Sequence, residues 1–315
     1  MQRINVATLA VLVTASAIAL RGQQSSAPAP TAVWTLSADL NAPESAYYDA
    51  TSNAIFVSSI NGDVLAKDGN GYISRLTTDG KVVNPKWATG LNAPKGLRSV
   101  GGTLWVSDID EVVAIEIASG RITSRVKIDG AQFLNDLATA PDGTIYVSDS
   151  QTFRIYAVKD GKASMFVDVA EPVETPNGVL VDGNRLIVGT MGPPAARGGQ
   201  GARGDQGAGE RGRAGTAAGG RLVAFDLASK ARTVITPQPI GGIDGIESDG
   251  RGGYLVTDVF GSRLLHVSSS GTTRTLLQFT AAGADFGYIA SRQVVVVPFL
   301  FSNSVAAYDL SGILK

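Results

Sequence analysis

One short β-type run recurs along this chain: "AIFVSSI" (54–60), "TLWVSDI" (103–109), "TIYVSDS" (144–150), "RLIVGTM" (185–191), "GYLVTDV" (253–259) and "VVVVPFL" (294–300). The copies centre on Phe56, Trp105, Tyr146, Ile187, Leu255 and Val296, and the spacing keeps returning to about 41 residues. A self-similar period of that length restricts the chain to repeat architectures. Two gaps are longer, and each contains its own explanation. The first holds the turn-rich "NGDVLAKDGNG", and the fourth holds "PPAARGGQGARGDQGAGERGRAGTAAGG", a Gly/Ala/Arg segment with nothing to pack into a core.

Each run is followed by a second strand-like segment, such as "GYISRLTTDG" or "GRLVAFDLASK". After the first five of these comes a weaker third segment, such as "KASMFVDVA" or "TRTLLQFTA". With the strand that precedes each run, the unit has four strands, the signature of a propeller blade. Sustained helical periodicity is absent. The last unit stops at "SGILK" without a fourth strand, while "TAVWTLSADL" is left over ahead of the first. Pairing these two closes the ring and leaves no exposed sheet edge. The expectation is an all-β, six-bladed β-propeller over residues 31–315, its last blade completed by an N-terminal strand.

The 315 residues contain no cysteine and one histidine, with a formal net charge of −1. Disulfides, thiolate metal sites, a cysteine nucleophile and a histidine cluster are all excluded. No basic excess invites nucleic acid. The opening "MQRINVATLAVLVTASAIALRGQQSSAPAP" reads as a signal peptide over 1–19 and a Ser/Ala/Pro linker over 20–30. The chain is therefore expected to be exported to a periplasmic or extracellular space, with no membrane span in the mature protein, and to act as a monomer. Residues 193–219 are expected to form a disordered insert.

In a propeller the innermost strand of every blade lines the central channel, and equivalent strand starts converge at one mouth. They read "APESAYYD", "APKGLRSV", "FLNDLATAPDG", "TPNGVLVDG", "GIDGIESDG" and "GADFGYIA". At or beside the equivalent point stand Glu44, Lys95, Asn135 with Asp136, Asn177, Asp244 and Asp285. Glu44, Asn177 and Asp244 offer two carboxylates and an amide oxygen, with Asn135 as a further donor. That hard oxygen set suits a divalent cation, calcium first. Two alternatives stay open. Asn-Gly and Asp-Gly are common turn residues, and Lys95 could fill the mouth as a salt bridge to Glu44. Asp108, Asp149 and Asp258 end the second strands on the same side, where an Asp ordinarily caps the next loop. Of these, Asp258 is best placed for a general base. His266 lies in an outer strand, away from this chemistry.

The six units, with "PES", "LND", "PNG" and "IDG" at blades one, three, four and five, resemble the senescence marker protein/gluconolactonase/luciferin-regenerating enzyme family. The resemblance implies a six-bladed propeller with a divalent ion, usually calcium, at the channel mouth. Position by position, it assigns metal binding to Glu44, Asn177 and Asp244 and a substrate-side role to Asn135. The chain departs from the family's sugar lactonases at Phe133, where they carry an arginine, and at Lys95. The expected function is a metal-dependent hydrolase of a small lactone or related ester. Asp244 would serve as ligand and base, Asp258 as deputy base, and Asn135 and Lys95 would position the substrate. The alternative is a non-catalytic exported propeller that binds a ligand or protein, any ion being structural. A condensing propeller of the strictosidine synthase type is a weaker third reading, since its catalytic Glu has no match here.

Overall fold

The computed structural model describes residues 30–169, 174–193 and 219–314. The expected signal peptide, nearly all of the linker and nearly all of the 193–219 insert lie outside the described residues. Within them the chain forms six four-stranded antiparallel sheets arranged as a propeller.

Strand β1 (Trp34–Leu36) comes first in the chain but belongs to the last sheet. Blade 1 is β2 (Pro43–Asp49), β3 (Ala54–Ser59), β4 (Gly71–Thr77) and β5 (Val82–Leu91). Blade 2 is β6 (Pro94–Val100), β7 (Thr103–Asp108), β8 (Glu111–Glu116) and β9 (Ile122–Lys127). Blade 3 is β10 (Leu134–Thr139), β11 (Ile145–Asp149), β12 (Arg154–Lys159) and β13 (Lys162–Asp168). Blade 4 is β14 (Pro176–Asp182), β15 (Arg185–Thr190), β16 (Leu222–Asp226) and β17 (Arg232–Val234). Blade 5 is β18 (Ile243–Ser248), β19 (Tyr254–Asp258), β20 (Arg263–Val267) and β21 (Thr273–Gln278). Blade 6 has β22 (Gly287–Ile289), β23 (Val294–Phe299) and β24 (Ser304–Asp309), and β1 supplies its outer edge through Trp34 opposite Ala307 and Leu36 opposite Val305. The expected N-terminal closure is what the chain does.

The recurring run is the second strand of each blade because it is covered on both faces. Ala54–Ser59 is buried at every position, as is Val294–Phe299. Such strands read as continuous apolar segments rather than alternating ones. The core is divided among the gaps between neighbouring blades. Phe56, Ile73, Leu97 and Val113 pack between blades 1 and 2, and Leu255, Leu264, Phe286 and Val297 between blades 5 and 6. Each blade is thus held by its two neighbours, and the ring positions every innermost strand about the axis.

Those strands share a distortion. In five of them the pairing register shifts where the mouth residue sits: between Pro43 and Ala46, Pro94 and Leu97, Leu134 and Leu137, Pro176 and Val179, and Ile243 and Ile246. A bulge inserts an extra residue, re-aims its side chain and leaves an amide without a strand partner. The Ser or Thr of the recurring "VS" and "VT" pairs takes up that amide. Ser58 Oγ accepts from Ser45 N (2.9 Å), Ser148 Oγ from Asp136 N (3.1 Å) and Thr257 Oγ1 from Gly245 N (2.8 Å). The same hydroxyls donate to the next blade, Ser148 to the Asn177 carbonyl (2.6 Å) and Thr257 to that of Ala284 (3.0 Å). Ser107 likewise donates to the Asn135 carbonyl. In blades 1, 2, 3 and 5 one small hydroxyl therefore fixes the mouth segment of its own strand or its neighbour's.

Candidate metal and substrate site at the channel mouth

At the mouth the innermost strands approach one another so closely that small residues are required. A Cβ on Gly178 would overlap the Asp244 carbonyl oxygen, and one on Gly96 would press into Asp136. Glycine here permits backbone contact between blades. The residue before each of these glycines is the mouth position of its strand: Lys95, Asn177 and, before Gly245, Asp244.

Glu44, Asn135, Asn177 and Asp244 are buried, with 7, 7, 2 and 8 % of their surface exposed. Glu44 Oε2, Asn177 Oδ1 and Asp244 Oδ1 have no hydrogen-bond partner. Each of the three expected ligands thus carries a buried oxygen with its lone pairs unspent, an arrangement that native structures rarely tolerate without an ion or water. Electrostatics point the same way. Burial pushes the Glu44 carboxyl well above the usual range, and the charges of Asp244 and Asp285 push it further. Burial first and Asp285 second push the Asp244 carboxyl up to about 7, opposed by a hydrogen bond from Asn177. Carboxylates crowded in this way favour a cation among them. The donors are hard oxygens, two of them anionic, and they fit calcium completed by water. Among the described residues no group of three or more His, Cys, Asp or Glu side chains is disposed to hold a metal. The amide of Asn177 is therefore needed to make a third ligand.

Lys95 does not fill the mouth. Its ammonium donates to the carbonyls of Ala93 (3.1 Å) and Val64 (3.4 Å) and lies 4.4 Å from the centre of the Phe133 ring. None of its described contacts is an ion pair, so the Glu44–Lys95 bridge does not form. Burial lowers its pKa, with Glu44 and Asp108 opposing. Phe133, where a guanidinium was the family's expectation, is the surface on which this ammonium rests. Asn135 Nδ2 donates to Ser150 Oγ (3.1 Å), which donates in turn to the Pro176 carbonyl (2.7 Å), so the amide is held from blade 4.

Asp258 is a correction. Its carboxylate accepts from the Gly242 and Gly261 amides (2.9 and 3.1 Å) and pairs with Arg263 Nε (2.8 Å). It is committed to holding its loops and is not free to act as a base. Asp108 does the same for the amides of Asn92 and Ala93, and Asp149 for four amides from Gln132 to Thr152. His266 pairs with Asp249 (2.8 Å) at the far end of blade 5.

Asp285 lies one residue deeper than its place in the sequence suggested. Gly287 faces Val296 in blade 6, as Tyr47 faces Phe56 in blade 1, so Ala284 corresponds to Glu44 and Asp285 to Ser45. At this second level Asp285 Oδ2 accepts from Ser45 Oγ (2.5 Å) and lies 3.4 Å from Arg98 Nη1, while Oδ1 is unpartnered. Asp136 stands at the same level and accepts from the amides of Leu137 (2.7 Å) and Val179 (2.8 Å). Arg98 crosses the channel below. It donates to the carbonyls of Leu97 (2.8 Å) and Ile246 (3.4 Å) and pairs with Glu247 (3.5 Å). Sequence reasoning passed over this buried cation. A charged residue four positions into an innermost strand was its only signal.

No family model and no curated protein matches this chain. Solved structures do match. A gluconolactonase from Xanthomonas campestris superposes with a TM-score of 0.59 at 14 % identity, covering 89 % of this chain and 87 % of that one. A catalytically inactive virginiamycin B lyase from Staphylococcus aureus, solved with quinupristin, superposes with a TM-score of 0.56 at 13 % identity, covering 88 % and 98 %. At such identity the likeness is one of fold. The chain is similar to six-bladed propellers of both kinds.

Proposed function

We propose that this protein is a metal-dependent hydrolase of a lactone or related ester, with calcium held at the channel mouth by Glu44, Asn177 and Asp244. One observation carries the reading: the three side chains each present a buried, unpartnered oxygen at convergent strand starts. When bound, calcium would polarise the ester carbonyl and offset the charge that develops on its oxygen. Asp244, a carboxylate beside the ion, accepts a proton from the attacking water. Asn135, tethered through Ser150, donates to the substrate, and Lys95 supplies a fixed positive charge on the blade 2 side. The gluconolactonase neighbour supports this reading at the level of the fold. Reading the first thirty residues as an export signal and linker, we infer an enzyme that acts outside the cytoplasm.

The test is elemental analysis of the purified protein, followed by hydrolysis of a panel of lactones and aryl esters with calcium or with chelator. Chelation is expected to abolish turnover and calcium to restore it. Mass spectrometry should show one water added to the product, which separates hydrolysis from eliminative ring opening. Undiminished turnover in metal-free protein would overturn the proposal.

The second reading, a binding propeller with a structural ion, is favoured by how little of Glu44, Asn135 and Asp244 meets solvent. It predicts that calcium raises the melting temperature while no ester in the panel is cleaved.

A further inference from the structure

Three apolar side chains from blades 3, 4 and 5 lie beside residues of the mouth. The Phe133 ring lies beneath Lys95, and Met191 Sδ is 3.2 Å from Asn177 Nδ2. The Phe260 ring covers Gly242, two residues ahead of Asp244, so closely that a Cβ on that glycine would enter it. Phe260 nonetheless has 65 % of its surface in solvent. An apolar side chain this exposed beside a polar centre, with half-buried Phe133 and Met191 on the neighbouring blades, marks a candidate binding surface.

Among the described residues several charged groups on the same face are matched to one another, while Lys95 has only carbonyl hydrogen-bond partners. Lys67 pairs with Asp110 (2.6 Å), Arg221 and Arg232 with Glu174 (2.9 and 3.0 Å), and Arg263 with Asp258 (2.8 Å). On the blade 1 rim Asn41 donates to Asn61, and Asn61 to the Asn70 carbonyl. A polyhydroxylated sugar lactone would press several hydroxyls against Phe133, Met191 and Phe260. Each hydroxyl left without a partner weakens binding by about tenfold. An alkyl chain on those surfaces gains about fourfold for each methylene buried.

We propose that the substrate is a lactone or ester bearing an alkyl chain, which packs on Phe133, Met191 and Phe260 while its carbonyl faces Glu44, Asn177 and Asp244. This inference rests on the hydrolase reading and names the class of substrate within it. Of these three side chains Phe260 has the most surface left to cover, and it sets the preference.

The experiment compares kcat/KM of the full calcium-loaded chain on δ-valerolactone, δ-decalactone and gluconolactone. The alkyl-substituted lactone is expected to exceed the unsubstituted one by tenfold or more, with gluconolactone below both. Phe260→Ala should lower kcat/KM for δ-decalactone about tenfold more than for δ-valerolactone, and Phe260→Trp should keep the preference. Gluconolactone as the best substrate, or an equal effect of Phe260→Ala on all three, overturns the inference while leaving the hydrolase reading intact. If neither these lactones nor the aryl esters are opened, the hydrolase reading fails, and calorimetric titration with octanoate and gluconate decides the subsite alone. Octanoate binding that Phe260→Ala weakens keeps the apolar subsite. Gluconate binding more tightly, or neither binding, removes it.

Discussion

Asp244→Asn should make the metal-free protein more stable and remove its response to calcium. The carboxyl of Asp244 is raised from 3.8 to about 7 in the fold. The unfolded chain gives up this proton near pH 4 and the folded chain near pH 7, so between those values the folded state binds more protons. Stability of the metal-free protein therefore falls as pH rises through that window and levels off above it. Three pH units of displacement correspond to about 4 kcal/mol at pH 8, a ceiling for a buried, interacting group. An isosteric amide carries no charge and escapes this loss. At roughly 2 °C per kcal/mol for a domain near 250 residues, the variant melts up to about 8 °C above wild type in chelator at pH 8. At pH 5 less than half of that difference remains. Calcium at a hundred times its dissociation constant then stabilises wild type by about 2.7 kcal/mol, roughly 5 °C, and the variant by much less. Differential scanning calorimetry at pH 5 and 8, with calcium or chelator, reads all four values. A variant that melts below wild type in chelator at pH 8, or that keeps the full calcium increment, would refute crowded carboxylates as the basis of the site.

Asp258→Asn separates loop holding from chemistry: it should lower the unfolding free energy by about 1–3 kcal/mol in urea denaturation while ester hydrolysis persists, and loss of turnover in a fully folded variant would reinstate it as a base. Ser148→Ala strands the Asp136 amide and the Asn177 carbonyl, so urea unfolding should show a loss of about 1–3 kcal/mol together with weaker calcium binding. Gly178→Ala drives a methyl into the Asp244 carbonyl, and a loss beyond about 3 kcal/mol is expected from chemical denaturation. Arg98→Met leaves Asp285 and Glu247 without their shared cation, for which about 3–5 kcal/mol is expected by the same measurement.

The blades were legible because the second strand of each is buried on both faces and so repeats as an apolar run whatever its turns contain. The ring of Glu44, Asn177 and Asp244 was legible because close backbone contact demands a small residue after each, which left "ESA", "NGV" and "DGI" as markers. Blade 6 lacks that marker, since Phe286 follows Asp285, and a bulge leaves no trace in a string of letters. The offset of Asp285 by one level was hidden for that reason. Arg98 was hidden differently. Its partners Ile246 and Asp285 are 148 and 187 residues away, and only the closed ring brings them across the channel. Where the Lys95 ammonium would go was likewise unreadable, because Val64 and Phe133 reach it from loops of blades 1 and 3.

Strand β1 ties the two ends of the described chain into one sheet, and Glu44 follows that tie by only a few residues. The Glu44 carbonyl accepts from the Asp285 amide and the Ala46 amide donates to the Asp285 carbonyl, each at 3.1 Å across the join. Glu44 belongs to blade 1 and Asn177 and Asp244 to blades 4 and 5, so these side chains share one mouth only when the ring is closed at this join. Separating β1 from β24 would therefore act first on the stretch of the ring that carries Glu44.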